Sequence, residues 1–218
     1  MVKRVLVALA ALSLVAAGVG FGVVGSAGAS TVRYSHIWSP PLNLPSNYRP
    51  CCPSTAGFTT LPFTMNVTAS QGFNLAVRMR TNWVDTKAVG GTPNIIQQGR
   101  VAQPIEIKIS IHSGQLAKDH HAQCRIEGAT GVIVNAQGPK SIDVADGNWH
   151  TIACVKFADT ASGTNVRVYV DGVGGLLVHS ARIGNIISSA PVDLGGQGPK
   201  ANKDSIDGRY ENVTFTVA

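Results

Sequence analysis

Charged and aromatic residues are both scarce in this chain: 14% of its residues are Asp, Glu, Lys or Arg, and 6% are Phe, Trp or Tyr. The 18 basic residues are scattered, without the clusters and aromatic platforms that a nucleic-acid surface requires. The six histidines show no H-x-x-x-H or H-E-x-x-H spacing of the kind that binds zinc. The sequence therefore predicts no nucleic-acid partner and no zinc enzyme of these types.

Long apolar runs are absent after the first 30 residues. The uncharged stretch from Val5 to Val24 follows Lys3 and Arg4 and precedes small residues ending in Ala29. This pattern is typical of a secretory signal peptide over residues 1–29, and an uncleaved membrane anchor is the alternative. Cleavage would leave 189 mildly basic residues, 16 basic against 12 acidic, in an extracellular protein without stable membrane insertion.

Helical periodicity is also missing, and alternation of apolar and polar residues replaces it. The clearest example is residues 105–112, IEIKISIH, and residues 73–80 alternate in the same way. Asp-Gly and Gly-Gly pairs separate further short segments of this kind. The sequence predicts an all-β, antiparallel sandwich, jelly roll or barrel.

Residues 30–65 differ from the rest because they contain six prolines. Proline fixes φ and removes a backbone donor, so we expect an irregular N-terminal arm in which short edge strands remain possible. The arm carries Cys51 and Cys52, which could form a vicinal disulfide, pair with another chain or pair with Cys124 and Cys154.

Four motifs fall in the order found in one known family. Asp146–Ile152, DGNWHTI, resembles the D-G-x-W-H-x-V strand entry of laminin G-like domains, within the concanavalin A-like lectin and glucanase superfamily. The segments 168–172, 192–196 and 205–213 are similar to its later hairpin and strands. The resemblance to secreted bacterial members covers residues 66–218 and implies a two-sheet antiparallel jelly-roll sandwich.

The resemblance also implies roles for individual residues. Trp149 is expected in the core rather than as a sugar platform, and His150 as a packing residue rather than a catalytic base. Cys124 and Cys154 are expected to form a disulfide between two neighbouring antiparallel strands, closing a loop of about 30 residues.

Residues 141–146, SIDVAD, lack the paired carboxylates of a glucanase active strand. The related glucanases carry E-I-D-x-x-E, and a retaining mechanism needs two carboxyl groups about 5–5.5 Å apart. If this stretch were a strand, Ser141, Asp143 and Ala145 would share one face, where only Asp143 is a carboxylate. We therefore expect no enzyme of this type, and we interpret His120 and His121 as part of a polar loop.

Ligand binding is the remaining expectation, since family relatives bind glycans or proteins, often through calcium at the rim. Trp83, with Asn82 and Asp85, is the candidate sugar-binding group, and a core position for Trp83 is the alternative. Calcium is a possible cofactor, and its candidate oxygen donors are Asp85, Asp171, Asp193, Asn202 and Asp204.

These observations favour a secreted, non-catalytic recognition domain that binds carbohydrate or an extracellular protein. Two alternatives stay open: a glycan hydrolase or lyase with degenerate motifs, and an adhesion protein whose subunits are joined through Cys51 or Cys52.

Overall fold

A computed structural model defines residues 31–44, 58–82, 92–99, 105–113, 120–196, 206 and 208–218 of the protein. These residues form thirteen strands and no helix, which confirms the all-β prediction. In chain order the strands are β1 (Thr31–Leu44), β2 (Thr59–Leu61), β3 (Phe73–Arg80), β4 (Asn94–Gln98), β5 (Glu106–Ser113), β6 (His120–Glu127), β7 (Ile133–Gln137), β8 (Trp149–Lys156), β9 (Thr164–Val170), β10 (Val173–Gly174), β11 (Val178–Ser180), β12 (Val192–Leu194) and β13 (Gly208–Val217).

The strands form two sheets in which every pairing is antiparallel. The first sheet has the order β1-β13-β3-β8-β9-β10, with β11 also pairing with β9. The second sheet has the order β2-β12-β4-β5-β6-β7. Several neighbours in each sheet are distant in sequence, so the sandwich is built mainly from long-range pairings.

The core lies between the sheets and follows from the alternation in the sequence. In β3, Phe73, Leu75, Val77 and Met79 are buried, while the residues between them face outward. Burying one such side chain contributes about 1.5–3 kcal/mol. Alternation normally places polar residues on an exposed face, but in β5 the polar residues at positions 106, 108 and 110 are buried as well as the isoleucines.

The predicted irregular arm is wrong for residues 31–44, which form a 14-residue strand, whereas β2 is a short edge strand of the kind that the prediction allowed. β1 pairs with β13 at the edge of the first sheet, and β2 pairs with β12 at the edge of the second. The prolines still leave a mark, since the register of β1 is interrupted between Ile37 and Leu42, where Pro40 and Pro41 lie. An edge strand tolerates proline because half of its backbone donors need no partner strand. The domain boundary placed between residues 65 and 66 stays a prediction.

The predicted disulfide between Cys124 and Cys154 is confirmed, with a Cα–Cα distance of 5.9 Å. Its placement differs from the expectation of two neighbouring strands. Cys124 lies on β6 of the second sheet and Cys154 on β8 of the first, and both side chains are fully buried. The bridge therefore crosses the core and joins the sheets, because core-facing residues of opposite sheets meet one another.

The hairpin between β9 and β10 is built by Asp171 and Gly172, as its sequence predicts. Both residues have positive φ, 50° and 84°, and Val170 pairs with Val173 around them. A two-residue turn with positive φ at both positions matches the twist of the flanking strands.

Candidate functional site

A row of four side chains crosses the outer face of the first sheet. Asn43 of β1 lies opposite Arg209 of β13, Arg209 lies opposite Arg80 of β3, and Arg80 lies opposite Trp149 of β8. Cross-strand partners share a face of the sheet, and the next residues along β3 and β13 are buried, so this row points away from the core. We call these four residues the arginine–tryptophan row.

One end of this row opens into a groove with a volume of about 520 Å³. This volume lies within the range of small-molecule sites, about 300–1,000 Å³. The lining residues that the structure describes carry amide, hydroxyl and guanidinium groups or are glycines, and none is a carboxylate or a large apolar residue. They are Asn43, Arg80, Thr81, Asn82, Gly147, Gly208 and Arg209.

Trp149 does not lie in the core, so that prediction is wrong. It is half-buried on the outer face, and the guanidinium carbons of Arg78 and Arg80 lie 5.2 and 5.8 Å from its ring centroid. Each contact of this kind contributes about 0.5–1 kcal/mol at exposed sites. Strand parity explains the result, because Trp149 pairs with the outward-facing Arg80 while the next residue, His150, faces inward.

The arginines of this face differ in how their charge is compensated. Arg78 forms an ion pair with Glu211 of β13. Within the part of the chain that the structure describes, the side chains of Arg80 and Arg209 form no hydrogen bond or ion pair, and Arg209 is exposed. Arg80 and Arg209 therefore lie opposite one another on adjacent strands, and no side chain among the described residues compensates their charge.

His150 fixes the loop that forms one wall of the groove. Its Nδ1 lies 2.7 Å from Asp171 Oδ2, and its Nε2 lies 3.0 Å from Asp146 Oδ1. Burial by itself lowers the pKa of His150, but the hydrogen bonds to the two carboxylates outweigh it and raise the pKa above its ordinary value. Because Asp146 precedes the groove residue Gly147, this buried histidine of β8 ties the loop beside the groove to the sheet.

Asp146 is held by its neighbours as well as by His150. It accepts hydrogen bonds from the backbone N–H and the side-chain amide of Asn148. Burial alone would raise its pKa, but these bonds and His150 lower it overall. The N–H of Gly147 donates to the carbonyl oxygen of Thr81, so the loop is also tied to the end of β3.

Of the three predicted sugar-binding residues, Asn82 is exposed and lies in the wall of the groove. Trp83 and Asp85 lie outside the described residues, as do Cys51 and Cys52. Ligand binding by Asn82, Trp83 and Asp85 stays a prediction. Sequence reasoning missed Arg80 and Arg209. The alternation in β3 indicates that Arg80 lies on the polar face of that strand. Its pairing with Arg209, 129 positions later in the chain, does not follow from a local pattern.

The calcium candidates that the structure describes do not fit a calcium site. Asp171 uses one carboxylate oxygen for His150 and accepts the backbone N–H of Thr151 with the other, at 2.8 Å. Asp193 lies on β12 in the other sheet and accepts the hydroxyl of Thr60. Among the described residues no group of three or more Asp, Glu, His or Cys side chains is arranged to hold a metal. Asp85, Asn202 and Asp204 lie outside these residues, so a calcium site there stays a prediction.

The second sheet carries a buried polar network that the sequence reasoning also missed. Glu106 is fully buried and lies opposite Glu127 on the adjacent strand. Arg125 donates from Nε to Glu106 at 2.6 Å and from a terminal nitrogen to Glu127 at 3.1 Å. Gln97 donates to the second oxygen of Glu106 at 2.9 Å. The polar residues that alternate with isoleucine in residues 105–112 were the available signal, but alternation alone does not predict that they are buried.

Residues 141–148 are turns and bends rather than a strand. Asp143 accepts the N–H of Ala145 and lies 3.5 Å from Nδ1 of His120. The prediction of a polar loop at His120 and His121 is wrong, because both residues begin β6 and are buried. The ring of His121 packs on His112, with centroids 4.7 Å apart.

No family model and no curated protein matches this chain. Solved structures do match it. Domains LG4–5 of the mouse laminin α1 chain align with a TM-score of 0.58 at 12% identity over 85% of this chain and 44% of that one. The SAP-like pentraxin of Limulus polyphemus aligns with a TM-score of 0.54 at 13% identity, over 79% of this chain and 73% of that one. The fold is that of the concanavalin A-like jelly rolls.

A third similar structure is a variant of the NanB sialidase from Streptococcus pneumoniae, with a TM-score of 0.56 at 10% identity over 84% of this chain and 26% of that one. This chain thus spans less than half the length of the laminin and sialidase structures. At these identities the similarity establishes the jelly-roll fold that the motifs implied. The described residues also include no helix with the length and hydropathy of a membrane span.

Proposed function

We propose that this protein is a secreted carbohydrate-binding domain that holds a glycan in the groove of the first sheet and does not cleave it. The observation that carries the proposal is the lining of the groove. Amide and guanidinium groups from Asn43, Asn82, Arg80 and Arg209 surround it, and no large apolar side chain does so among the described residues. Sites for apolar ligands are lined mainly by hydrophobic side chains, so this lining fits a hydroxyl-rich ligand.

The strands and contacts around the groove also support a binding function. The groove lies at the ends of rigid strands, and the Asp146–His150 contact fixes its wall before any ligand arrives. A site that is already ordered loses less conformational entropy on binding than a site on mobile loops. Export through the predicted signal peptide would bring the domain to extracellular glycans.

A glycan array with and without calcium tests the proposal, using the full mature chain and two matched variants. Asn82→Ala removes an exposed amide from the groove, whereas Asn135→Ala removes an exposed amide from β7 of the second sheet. We expect retention on at least one glycan class, weakened by Asn82→Ala and unchanged by Asn135→Ala. Absence of retention on the array and on native cell-wall polysaccharide, or equal effects of the two variants, would contradict the proposal.

A second candidate function, glycan hydrolysis, would have to use Glu106 and Glu127, which are cross-strand partners. A glycosidase needs two carboxyl groups that reach the scissile bond. Here one guanidinium, that of Arg125, engages both carboxylates, and Glu106 is fully buried. We therefore expect no release of reducing sugar from β-glucans. Release that disappears in both Glu106→Gln and Glu127→Gln would establish hydrolysis in place of simple binding.

A further inference from the structure

We propose that the bound glycan is acidic, and that Arg80 and Arg209 together bind one of its carboxylate or sulfate groups. This inference rests on the carbohydrate-binding function proposed above and specifies the class of ligand. It follows from the two arginines of the arginine–tryptophan row, which have no counter-ion among the residues that the structure describes, rather than from the overall charge of the chain.

The first argument is electrostatic. Arg80 and Arg209 are direct cross-strand partners, which places their Cβ atoms about 4.5–5.5 Å apart, and like charges in this arrangement are unfavourable. The neighbouring Arg78 has Glu211 as its counter-ion, but no described carboxylate pairs with Arg80 or Arg209. An anion between the two guanidinium groups would supply the missing charge.

The second argument is geometric. Contact with the Trp149 ring restricts the guanidinium of Arg80 before a ligand binds. A guanidinium is a planar fork of N–H donors that matches the oxygens of a carboxylate or sulfate, and such charge-assisted hydrogen bonds are strong and directional. Two forks on adjacent strands can therefore hold one anionic group from two sides.

The third argument identifies the rest of the ligand as a sugar. The groove, at about 520 Å³, is much larger than a single carboxylate or sulfate group, and Asn43 and Asn82 add amide donors and acceptors beside the arginines. Amides suit the hydroxyl groups of a sugar ring. Two uncompensated arginines are also few for tracking a phosphate backbone, which requires a series of cations.

Equilibrium binding to matched pairs of polymers tests the inference. Oligogalacturonate is compared with its methyl ester, and dextran sulfate with dextran, so that only the acidic group changes within each pair. The two pairs also distinguish a carboxylate from a sulfate as the group that is bound. Single-stranded oligodeoxythymidylate serves as a polyanion without the sugar hydroxyls of a glycan.

We expect the acidic member of at least one pair to bind more tightly than its neutral counterpart, and salt to weaken this binding. Arg80→Gln and Arg209→Gln should each reduce that affinity by about 10- to 100-fold, the usual worth of hydrogen bonds to a charged group. Arg182→Gln is the control, because it removes the same charge from an exposed residue away from the groove. Arg182 is close in sequence to Gly184, whose N–H binds Asp159, and Asp159 pairs with Lys156 at the far end of β8.

Each outcome bears on a different statement. Equal binding of acidic and neutral polymers, or equal affinity losses in the Arg182 and Arg209 variants, would overturn this inference and leave carbohydrate binding intact. Binding of no glycan at all would overturn the proposed function itself. Equal binding of oligodeoxythymidylate with the same dependence on the arginines would show a non-selective anion patch and also overturn the inference. If Arg80→Gln failed to fold through loss of its Trp149 contact, Arg209→Gln would decide alone.

Discussion

Lys156, the last residue of β8, forms a buried ion pair with Asp159. Replacing either residue alone should cause a large loss of stability, and the two losses should depend on pH in opposite directions. Their Nζ–Oδ1 distance is 2.9 Å, and their side chains are 0% and 1% exposed. The ammonium group also donates to the carbonyl oxygens of Gln71 and Phe157, at 3.2 and 3.0 Å. The N–H of Gly184 donates to the other oxygen of Asp159, at 2.8 Å. The pair thus ties the end of β8 to two neighbouring loops.

The pKa directions show that burial acts on both members. Burial lowers the pKa of Lys156, and the carboxylate of Asp159 offsets this only in part. Burial by itself would raise the pKa of Asp159, but the Gly184 N–H and the Lys156 ammonium lower it overall. Each charge therefore depends on its partner, since neither has access to water.

Replacing one member leaves the other as an uncompensated buried charge. We expect Lys156→Met and Asp159→Asn each to lower the free energy of unfolding by about 3–5 kcal/mol near neutral pH. The double variant should lose less than the sum of the two single losses, because no unpaired charge remains in it.

The two single losses should depend on pH with opposite signs. In Lys156→Met the remaining carboxylate can become neutral by taking up a proton, so the loss should shrink toward about pH 4. In Asp159→Asn the remaining ammonium can become neutral by losing a proton, so the loss should shrink toward about pH 10. The double variant should show neither trend relative to the wild type.

Urea unfolding of the four proteins across this pH range measures these values, with the Cys124–Cys154 disulfide kept oxidised. Single losses below about 1 kcal/mol, the range of exposed ion pairs, would refute the reasoning that the pair is desolvated. Parallel rather than opposite pH trends would show that the losses come from packing and not from an isolated charge.

Two further predictions concern His150 and the disulfide. His150 has a raised pKa in the folded state, so it stabilises the fold while it is protonated. The loss in the free energy of unfolding caused by His150→Gln should therefore be full below about pH 6.5 and shrink as the pH rises through the folded pKa. A loss that is independent of pH would contradict this prediction. Replacing both Cys124 and Cys154 with alanine should lower the free energy of unfolding by about 3–4 kcal/mol, given their separation of 30 residues. Urea unfolding measures the His150 and the disulfide variants alike. A loss below about 1 kcal/mol on removal of the disulfide would contradict the chain-entropy argument.

Much of the fold was predictable because alternation is a local signal. β3 was predicted at its observed bounds, residues 73–80, and β5 within one residue at each end. β1 was not expected as a long strand, because Pro40 and Pro41 argue against regular pairing and only the position of β1 at a sheet edge makes it possible. Sequence alone does not show which strand lies at an edge.

The candidate site was less predictable because it depends on pairing between distant residues. The outward position of Trp149 follows from the alternation of side chains along β8. The prediction of a core position relied instead on the large apolar surface of tryptophan. The Arg80–Arg209 cross-strand pairing and the Glu106–Arg125–Glu127 network need a register that no local motif specifies. Asn82 was chosen for its chemistry beside an aromatic residue, and the groove around it was not anticipated.

The position of β13 constrains how the chain folds as it is made. Residues 208–217 form the strand between β1 and β3, so neither of those earlier strands can complete its pairing until residues 208–217 have been synthesised. Until then the edge of β3 that pairs with β13 has no partner strand. Vectorial synthesis therefore delays closure of the first sheet, and chaperone binding to nascent chains should persist until residues 208–217 emerge.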